Sequence, residues 1–475
     1  MAFIETAPFH RAALSRRGLL TARDFLGLSG VILSGHPRRH VLRVYIDGEP
    51  FILKKEHHVR WRDRFASAWA GFGWHSTSVR EAIMLGRLRD AGVQCSEVIS
   101  AGEHGGQAFL LLREERDMAN LRNTLAHTIS IPDRRALSQG LGRELARIHA
   151  AGFDQPDLYA KHILAEKTHD GYRFCFLDWQ RSTRHKRVSW SRRYQDLAAL
   201  DASLADHLAS KRLRVDCLCA YLSAENGIRR GQAPPLADAA RAVRQITNRL
   251  LERRKVRELR QPPLPEGAQQ LLWLEEEERL CVARDFYEEL AGQMPSWLPR
   301  DPQPSADGNC AEYRLILLGA GRTGHLVQRW RRVPIGWLRR GKFPAPEFAH
   351  AAAIFRLQRF GVSGPRLLAM GYRHLPRSQR FSFLLTEPPV GDALRTVLRH
   401  NISDTERDAL LQQFETLTRR VREAGYEFQP GVDVVQAWVV QGGRLTLASV
   451  EPLREARDAS HGKPANRQWR AWEVA

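Results

Sequence analysis

Lys54, Glu81, Asp157 and Asp178 follow one another in the types and order that phosphoryl transfer requires. That reaction needs a cation on the nucleotide phosphates, a carboxylate that holds Mg2+, and a base aimed at the acceptor hydroxyl. Lys54 ends the apolar run Phe51-Ile-Leu53, so its ammonium would leave a strand at a fixed height. Its neighbour Lys55 is a rival, but alternation along a strand sends adjacent side chains to opposite faces. Glu81 lies on the next helix, where it could pair with Lys54 and hold it. Asp178 stands just after the apolar stretch Phe174-Cys-Phe-Leu177, and Asp157 lies in a polar loop before it. Taken singly, an aspartate beside a strand is an ordinary turn or cap residue. The combination, in this order, points to chemistry.

The elements that would position these groups are readable from pattern. Val41–Ile46 and Phe51–Leu53 read as two strands joined at Asp47-Gly48, a hairpin turn pair. Helical spacing of Ala82, Leu85 and Leu88 predicts a helix over 78–91, stopped by Gly92. A second helix is expected over 137–150, with Leu141, Leu145 and Ile148 on one face. Short strands at 162–165 and 174–177 then flank a turn, and helices dominate from Asp196 to about Arg260. Asp196 itself fits either an N-cap or a brace for the loop around Asp157. The order of a hairpin, helix, strands, helix, loop, strand and helices predicts an α+β, bilobal layout with a small sheet-rich lobe and a larger helical one.

The stretch Gly152-Phe-Asp-Gln-Pro-Asp157-Leu-Tyr-Ala-Lys-His162-Ile-Leu164 resembles the kinase catalytic loop, with Asp157 at the base position and Gln155 where kinases carry a histidine. Asp157-Leu-Tyr-Ala-Lys-His-Ile-Leu164, Leu177-Asp-Trp-Gln-Arg181 and Arg60-Trp-Arg-Asp-Arg64 together resemble the bacterial lipopolysaccharide core kinases, which phosphorylate heptose or Kdo sugars and have a protein-kinase-like fold. The resemblance covers about residues 20–225. It implies Lys54 and Glu81 as the ion pair, Asp157 as base, Asp178 as metal ligand, and ATP with Mg2+ as cofactors. It also puts His162 where most kinases have a metal-binding asparagine; since Mg2+ prefers oxygen, His162 could instead bond a phosphate or orient Asp157. No glycine-rich phosphate loop precedes Lys54, and Ser34-Gly35-His36 is the candidate for that role. Arg181, Arg184, Arg187 and Arg192 follow Asp178 and could bind an anionic acceptor. Trp61, Trp69 and Trp74 read as core residues.

The chain has 475 residues, room for two or three domains, with 43% hydrophobic and 27% charged residues, the balance of a globular protein. Its net charge of +20 favours anionic partners. No zinc finger, RNP-type motif or basic heptad region directs that charge to nucleic acid, which is therefore not the expected partner. The six cysteines form no Cys-x-x-Cys pair, and a reduced compartment without a zinc site is the simplest expectation. With no apolar run long enough to span a bilayer and no secretory signal in the first residues, a cytoplasmic enzyme is expected. It would meet a lipid-linked core oligosaccharide by peripheral contact at the inner face of the inner membrane. A protein or aminoglycoside-like acceptor, or a non-catalytic scaffold, remains open.

The sequence also repeats at domain scale. Ala22-Arg-Asp-Phe25 returns as Ala283-Arg-Asp-Phe286, Glu81–Val93 resembles His350–Val362, and Ala108–Leu112 echoes Ser382–Thr386. The expected division is a kinase-like catalytic domain over 1–262 and a degenerate kinase-like domain over 263–475, split at the Pro-rich Gln261–Pro265. In the second, Arg329 falls near the place of Lys54, His350 on Glu81, Val432 or Asp433 near Asp157, and Ser449 on Asp178. Gly319-Ala-Gly-Arg-Thr-Gly324 matches a dinucleotide fingerprint, but the strand-like residues after it predict a hairpin turn instead.

Overall fold

The computed structural model describes residues 3–36, 38–127, 130–204, 208–229, 233–260, 269–274, 280–299, 302–306, 309–319, 321–332, 345–376, 378–400 and 402–456. The chain divides into two compact units, Met1–Ser34 with Arg38–Val256, and Gly35–Pro37 with Arg257–Ala475. The Pro-rich stretch at 261–265 lies outside the described residues.

In the first unit, β1 (Phe3–Thr6), α1 (Pro8–Arg16) and α2 (Ala22–Gly27) precede β2 (Val31–His36), β3 (Arg39–Ile46) and β4 (Glu49–Glu56). Asp47 and Gly48 both take positive φ, 54° and 78°, which matches the strand twist and sets the β3–β4 register. After α3 (Trp61–Trp69), Ser76 caps α4 (Thr77–Asp90), and Gly92 at φ 72° ends it. With β5 (Val98–His104) and β6 (Gln107–Arg113) the six strands run β1-β5-β6-β4-β3-β2. Met84, Leu85 and Leu88 of α4 belong to the larger core cluster of this unit, whereas Phe25 of α2 joins Leu53 and Phe109 in a second one.

The helical part follows β7 (Ala119–Asn120) and α5 (Leu121–Ala126). Helix α6 (Ile131–Ala150) starts six residues before the apolar spacing becomes evident, because Ser130 caps it and Pro132 sits in its first turn. Strands β8 (Ile163–Thr168) and β9 (Gly171–Phe176) form a hairpin longer than its apolar ends indicate. Helices α7 (Trp190–Ser203), α8 (Lys211–Arg229) and α9 (Leu236–Arg260) complete the unit.

The second unit repeats this order. Strands β10 (Leu271–Trp273) and β11 (Cys281–Ala283) and helix α10 (Arg284–Glu289) lead into the hairpin β12 (Cys310–Leu317) and β13 (Thr323–Arg332). Gly319 and Gly321, at φ 83° and 73°, lie in its turn, so the Gly319–Gly324 glycines shape a hairpin and open no helix. Helix α11 (Pro346–Arg359), β14 (Arg366–Leu375) and β15 (Gln379–Glu387) give a sheet ordered β10-β11-β14-β15-β13-β12. Then come β16 (Asp392–Ala393), α12 (Leu394–Arg399), α13 (Asp404–Glu423), β17 (Tyr426–Phe428), the hairpin β18 (Trp438–Gln441) and β19 (Arg444–Leu447), and β20 (Leu453–Glu455). Strand β13 stands for β4, α11 for α4 and α13 for α6. Among the described residues nothing in this unit corresponds to α7, α8 and α9.

Helix α6 approaches α8 through Gly142, where an added Cβ would lie 2.2 Å from the Cys217 carbonyl oxygen. Gly142→Ala should therefore destabilise the protein by about 1–3 kcal/mol in urea unfolding, through overpacking. Gly86→Ala on α4, where a Cβ meets nothing within 4 Å, should be neutral or stabilising.

Candidate active site

Lys54 leaves β4 on the face shared with Val41 and Leu110, its cross-strand partners. Its Nζ lies 2.7 Å from Glu81 Oε1, and the Glu81 side chain is 1% exposed. Lys55 points the other way and donates to the carbonyls of Leu26 and Leu28. Arg39, which the sequence reading passed over, brackets the pair: it donates to Glu81 Oε2 at 3.4 Å and to Gln180 Oε1 at 2.7 Å. Ser34 and Gly35 lie near the end of β2, within a strand and not in an open loop.

The second cluster is built on a frame around Asp196. Helix α7 begins at Trp190 with Ser189 as its cap, so Asp196 sits in the helix and is no N-cap. Its buried Oδ2 accepts from the Gln155 amide at 2.7 Å and lies 3.2 Å from His149 Nε2. Gln155 in turn donates its Nε2 to the Leu177 carbonyl at 2.9 Å, which ties the Asp157 loop to the segment carrying Asp178. Asp157 accepts from Arg181 Nη1 at 2.9 Å. Burial pushes the Asp157 carboxyl above its ordinary value, the Arg181 charge pulls it back, and neighbouring Asp178 raises it.

His162, in a short 3-10 turn (Ala160–His162), has Nδ1 2.9 Å from the Asp157 carbonyl oxygen. A carbonyl can only accept, so Nδ1 carries the proton and Nε2 faces Asp178 Oδ2 at 3.9 Å. Asp178 holds φ 62°, a left-handed backbone that an aspartate adopts at a cost. Its Oδ1 is buried with no hydrogen-bond partner among the described residues. Such an orphan acceptor fits a cation. Among the described residues no cluster of three or more His, Cys, Asp or Glu side chains could hold a metal. Asp178, with His162 beside it, is therefore suited to an ion such as Mg2+ that takes most of its ligands from phosphate and water.

The basic segment after Asp178 is pinned. Asp154, 1% exposed, receives the Thr183 amide at 2.7 Å, His185 Nε2 at 3.0 Å and Arg192 Nη1 at 2.6 Å. Arg192 is thus engaged in holding the loop, and Arg184 lies 5.4 Å from the Phe153 ring. Arg187 has interactions of its own. Arg181 is the member that reaches Asp157, with its side chain 66% exposed. In the other basic stretch, burial beside Lys55 pulls His57 down to about 4, so it contributes no cation near neutrality. Trp61, Trp69 and Trp74 are not core residues: they are 65%, 84% and 53% exposed, because α3 turns Ser67 inward and Trp61, Phe65 and Trp69 outward.

The second unit has corresponding elements that carry different side chains. Arg329 on β13 donates to Glu347 Oε1 at 2.6 Å, so Glu347 and not His350 occupies the place of Glu81. The Leu177 amide bonds to the His162 carbonyl, and the Ala448 amide to the Ala437 carbonyl, in matching hairpins. Ser449 therefore stands where the first unit has Asp178. Asp433 pairs with Arg395 at 2.7 Å and accepts from the Val435 amide, a local turn.

A buried Lys–Glu pair, a loop aspartate and a strand-end aspartate on a two-lobed α+β frame define a kinase-like phosphotransferase. Residues 63–221 match the model of the lipopolysaccharide kinase (Kdo/WaaP) family, a stretch that contains Glu81, Asp157, His162 and Asp178. No curated protein aligns with the chain. A solved structure of WaaP in complex with acyl carrier protein is similar at 21% identity and a TM-score of 0.40, over 53% of this chain and 98% of that one.

Because Arg181 lowers the Asp157 pKa and a base must be unprotonated, Arg181→Gln should move the acid limb of kcat/KM to higher pH. A pH–rate profile tests this; an unmoved or acid-shifted limb contradicts it.

Proposed function

We propose that this protein is an ATP-dependent kinase of the lipopolysaccharide inner core, transferring phosphate to a hydroxyl of a heptose or Kdo sugar. The observation that carries the reading is the match to the lipopolysaccharide kinase family across the residues that form the Asp157–Asp178 cluster. Lys54, held by Glu81, contacts the nucleotide phosphates. Asp157 accepts the proton of the acceptor hydroxyl while Arg181 holds it in place. Asp178 and His162 would hold the metal, which would supply positive charge against the phosphates. Ser34 and Gly35 contribute backbone groups to phosphate binding, and the exposed guanidinium of Arg181 meets anionic groups of the core sugars. The second unit does not transfer phosphate in this reading, since Ser449 stands at the position of Asp178 and Asp433, near the place of Asp157, is engaged by Arg395.

The acceptor is lipid-linked, so the enzyme works by peripheral contact at the inner face of the inner membrane. No described helix is long and apolar enough to cross a membrane. Trp61, Phe65 and Trp69 form an exposed aromatic row on α3, the segment between Lys54 and Glu81, with exposed Arg60 and Arg62 beside it. Aromatic side chains with flanking arginines favour the headgroup layer of an anionic bilayer.

Two experiments follow. In a strain whose sole copy carries Asp178→Asn, mass spectrometry of the core should show one phosphate missing; an unchanged core refutes the sugar-kinase reading. Trp61→Ala with Trp69→Ala should reduce co-sedimentation with anionic vesicles at least about tenfold, from loss of two interfacial aromatic anchors. Undiminished vesicle binding would remove α3 from the membrane contact.

A further inference from the structure

The second unit encloses a cavity of about 490 Å³ between its sheet and the β19–β20 connection, within the range of small-molecule sites. Its lining includes Arg329, Glu347 and Ser449, which correspond to Lys54, Glu81 and Asp178. Its roof follows from strand register. Tyr313, Val327 and Leu384 form one cross-strand row, and Ala311, Arg329 and Ser382 form the next on the same face. The first row is flat and apolar, and Tyr313 at its outer end is 68% exposed. The second row presents one guanidinium. Arg329 is aimed by Glu347, which is 2% exposed and whose other oxygen accepts from the Ser382 hydroxyl at 2.7 Å. His350 and Ser449 line the same end, where the first unit carries a metal-site carboxylate.

Two physical consequences fix the ligand class. In the first unit, Asp178 and Asp157 would repel bare phosphate, so a divalent ion is needed to bring the two together. In the second, Ser449 replaces the metal carboxylate, which leaves hydroxyl and imidazole groups at that end, and the Arg329 guanidinium is shared between Glu347 and the cavity. Glu451, exposed, also lines the cavity, and Ser449 accepts the Glu451 amide. At the ring end, the segment leaving β15 reads Glu387-Pro-Pro-Val390. Proline lacks a backbone N–H, so positions 388 and 389 cannot donate to the edge of a base, and recognition there rests on stacking and burial.

We infer that this cavity is a second nucleotide site, one that takes a nucleoside diphosphate without a divalent metal and with little preference among bases. The inference borrows from the proposed function only the idea that Lys54, Glu81 and Asp178 hold a nucleotide in the first unit. It does not depend on what the first unit phosphorylates.

The test uses the full chain in excess EDTA, with equilibrium binding of ADP, GDP and adenosine. Expected is one ADP per chain, with GDP within a few-fold. Arg329→Gln, which keeps a donor to Glu347, should weaken ADP about tenfold, the worth of a charged hydrogen bond, and leave adenosine unchanged. Leu384→Trp, which fills the cavity, should abolish binding of all three, and Lys54→Met should change nothing under EDTA. Absence of binding in EDTA overturns the inference, as does EDTA-resistant binding that Lys54→Met removes and Arg329→Gln leaves intact. Should Leu384→Trp fail to fold, the Arg329→Gln comparison of ADP with adenosine decides. Failure of the kinase reading would appear separately, as metal-dependent nucleotide binding that Lys54→Met does not affect.

Discussion

One buried carboxylate organises the loop and helices of the first unit. Asp196 is 2% exposed and sits in α7, yet its partners lie on two other segments: the imidazole at the end of α6 and the amide of Gln155 at the start of the loop. A buried charge is stable only if its acceptor capacity is filled. That requirement fixes the distance from α6 to α7 and the path of the chain between them. Gln155 then passes the constraint on to Leu177, and so to the turn where Asp178 takes its left-handed backbone. Two aspartates that are distant in sequence are thereby held on one frame. The same logic operates at Asp154, which gathers Thr183, His185 and Arg192 and keeps the segment after Asp178 in a single path.

The two units carry corresponding elements with different side chains at the positions proposed for catalysis. The β4–α4 ion pair persists as Arg329–Glu347 with its buried carboxylate, because that pair also closes the sheet onto the helix. The hairpin that presents Asp178 persists too, as β18 and β19, but carries Ser449 at its end. Arginine in place of lysine is informative. A guanidinium is a planar fork that suits bidentate contacts, and it stays charged when half-buried.

Much of the fold was legible in the sequence because its signals are local. Asp47-Gly48 announces its hairpin, strand alternation separates Lys54 from Lys55, and Gly92 ends α4. The convergence of Asp157 and Asp178 could be expected from order and from the resemblance of the loop. Other features rest on partners far along the chain, and no local pattern encodes them. Asp196 before an apolar run fits a cap as well as a brace, and the choice needs the true helix start at Ser189, which is hidden in a basic stretch. Arg192 looks free until Asp154, at the far side of a hairpin, is placed against it. His350 matched Glu81 by sequence similarity, one helical turn away from the carboxylate that makes the pair. Tryptophans on a short helix read as core because aromatic burial is the common outcome; only the inward turn of Ser67 shows that the stripe faces out.

The central claim is that Asp157 takes a proton from a sugar hydroxyl while Lys54 and the Asp178 site hold the nucleotide. Label transfer measures this directly: purified full-length protein is incubated with γ-labelled ATP, Mg2+ and core glycolipid lacking its phosphates. The account predicts labelled glycolipid, and a loss of about 10²–10⁴ in rate for Asp157→Asn with nucleotide affinity retained, the range for removal of a general base. Label confined to inorganic phosphate, or transfer undiminished in Asp157→Asn, would contradict it.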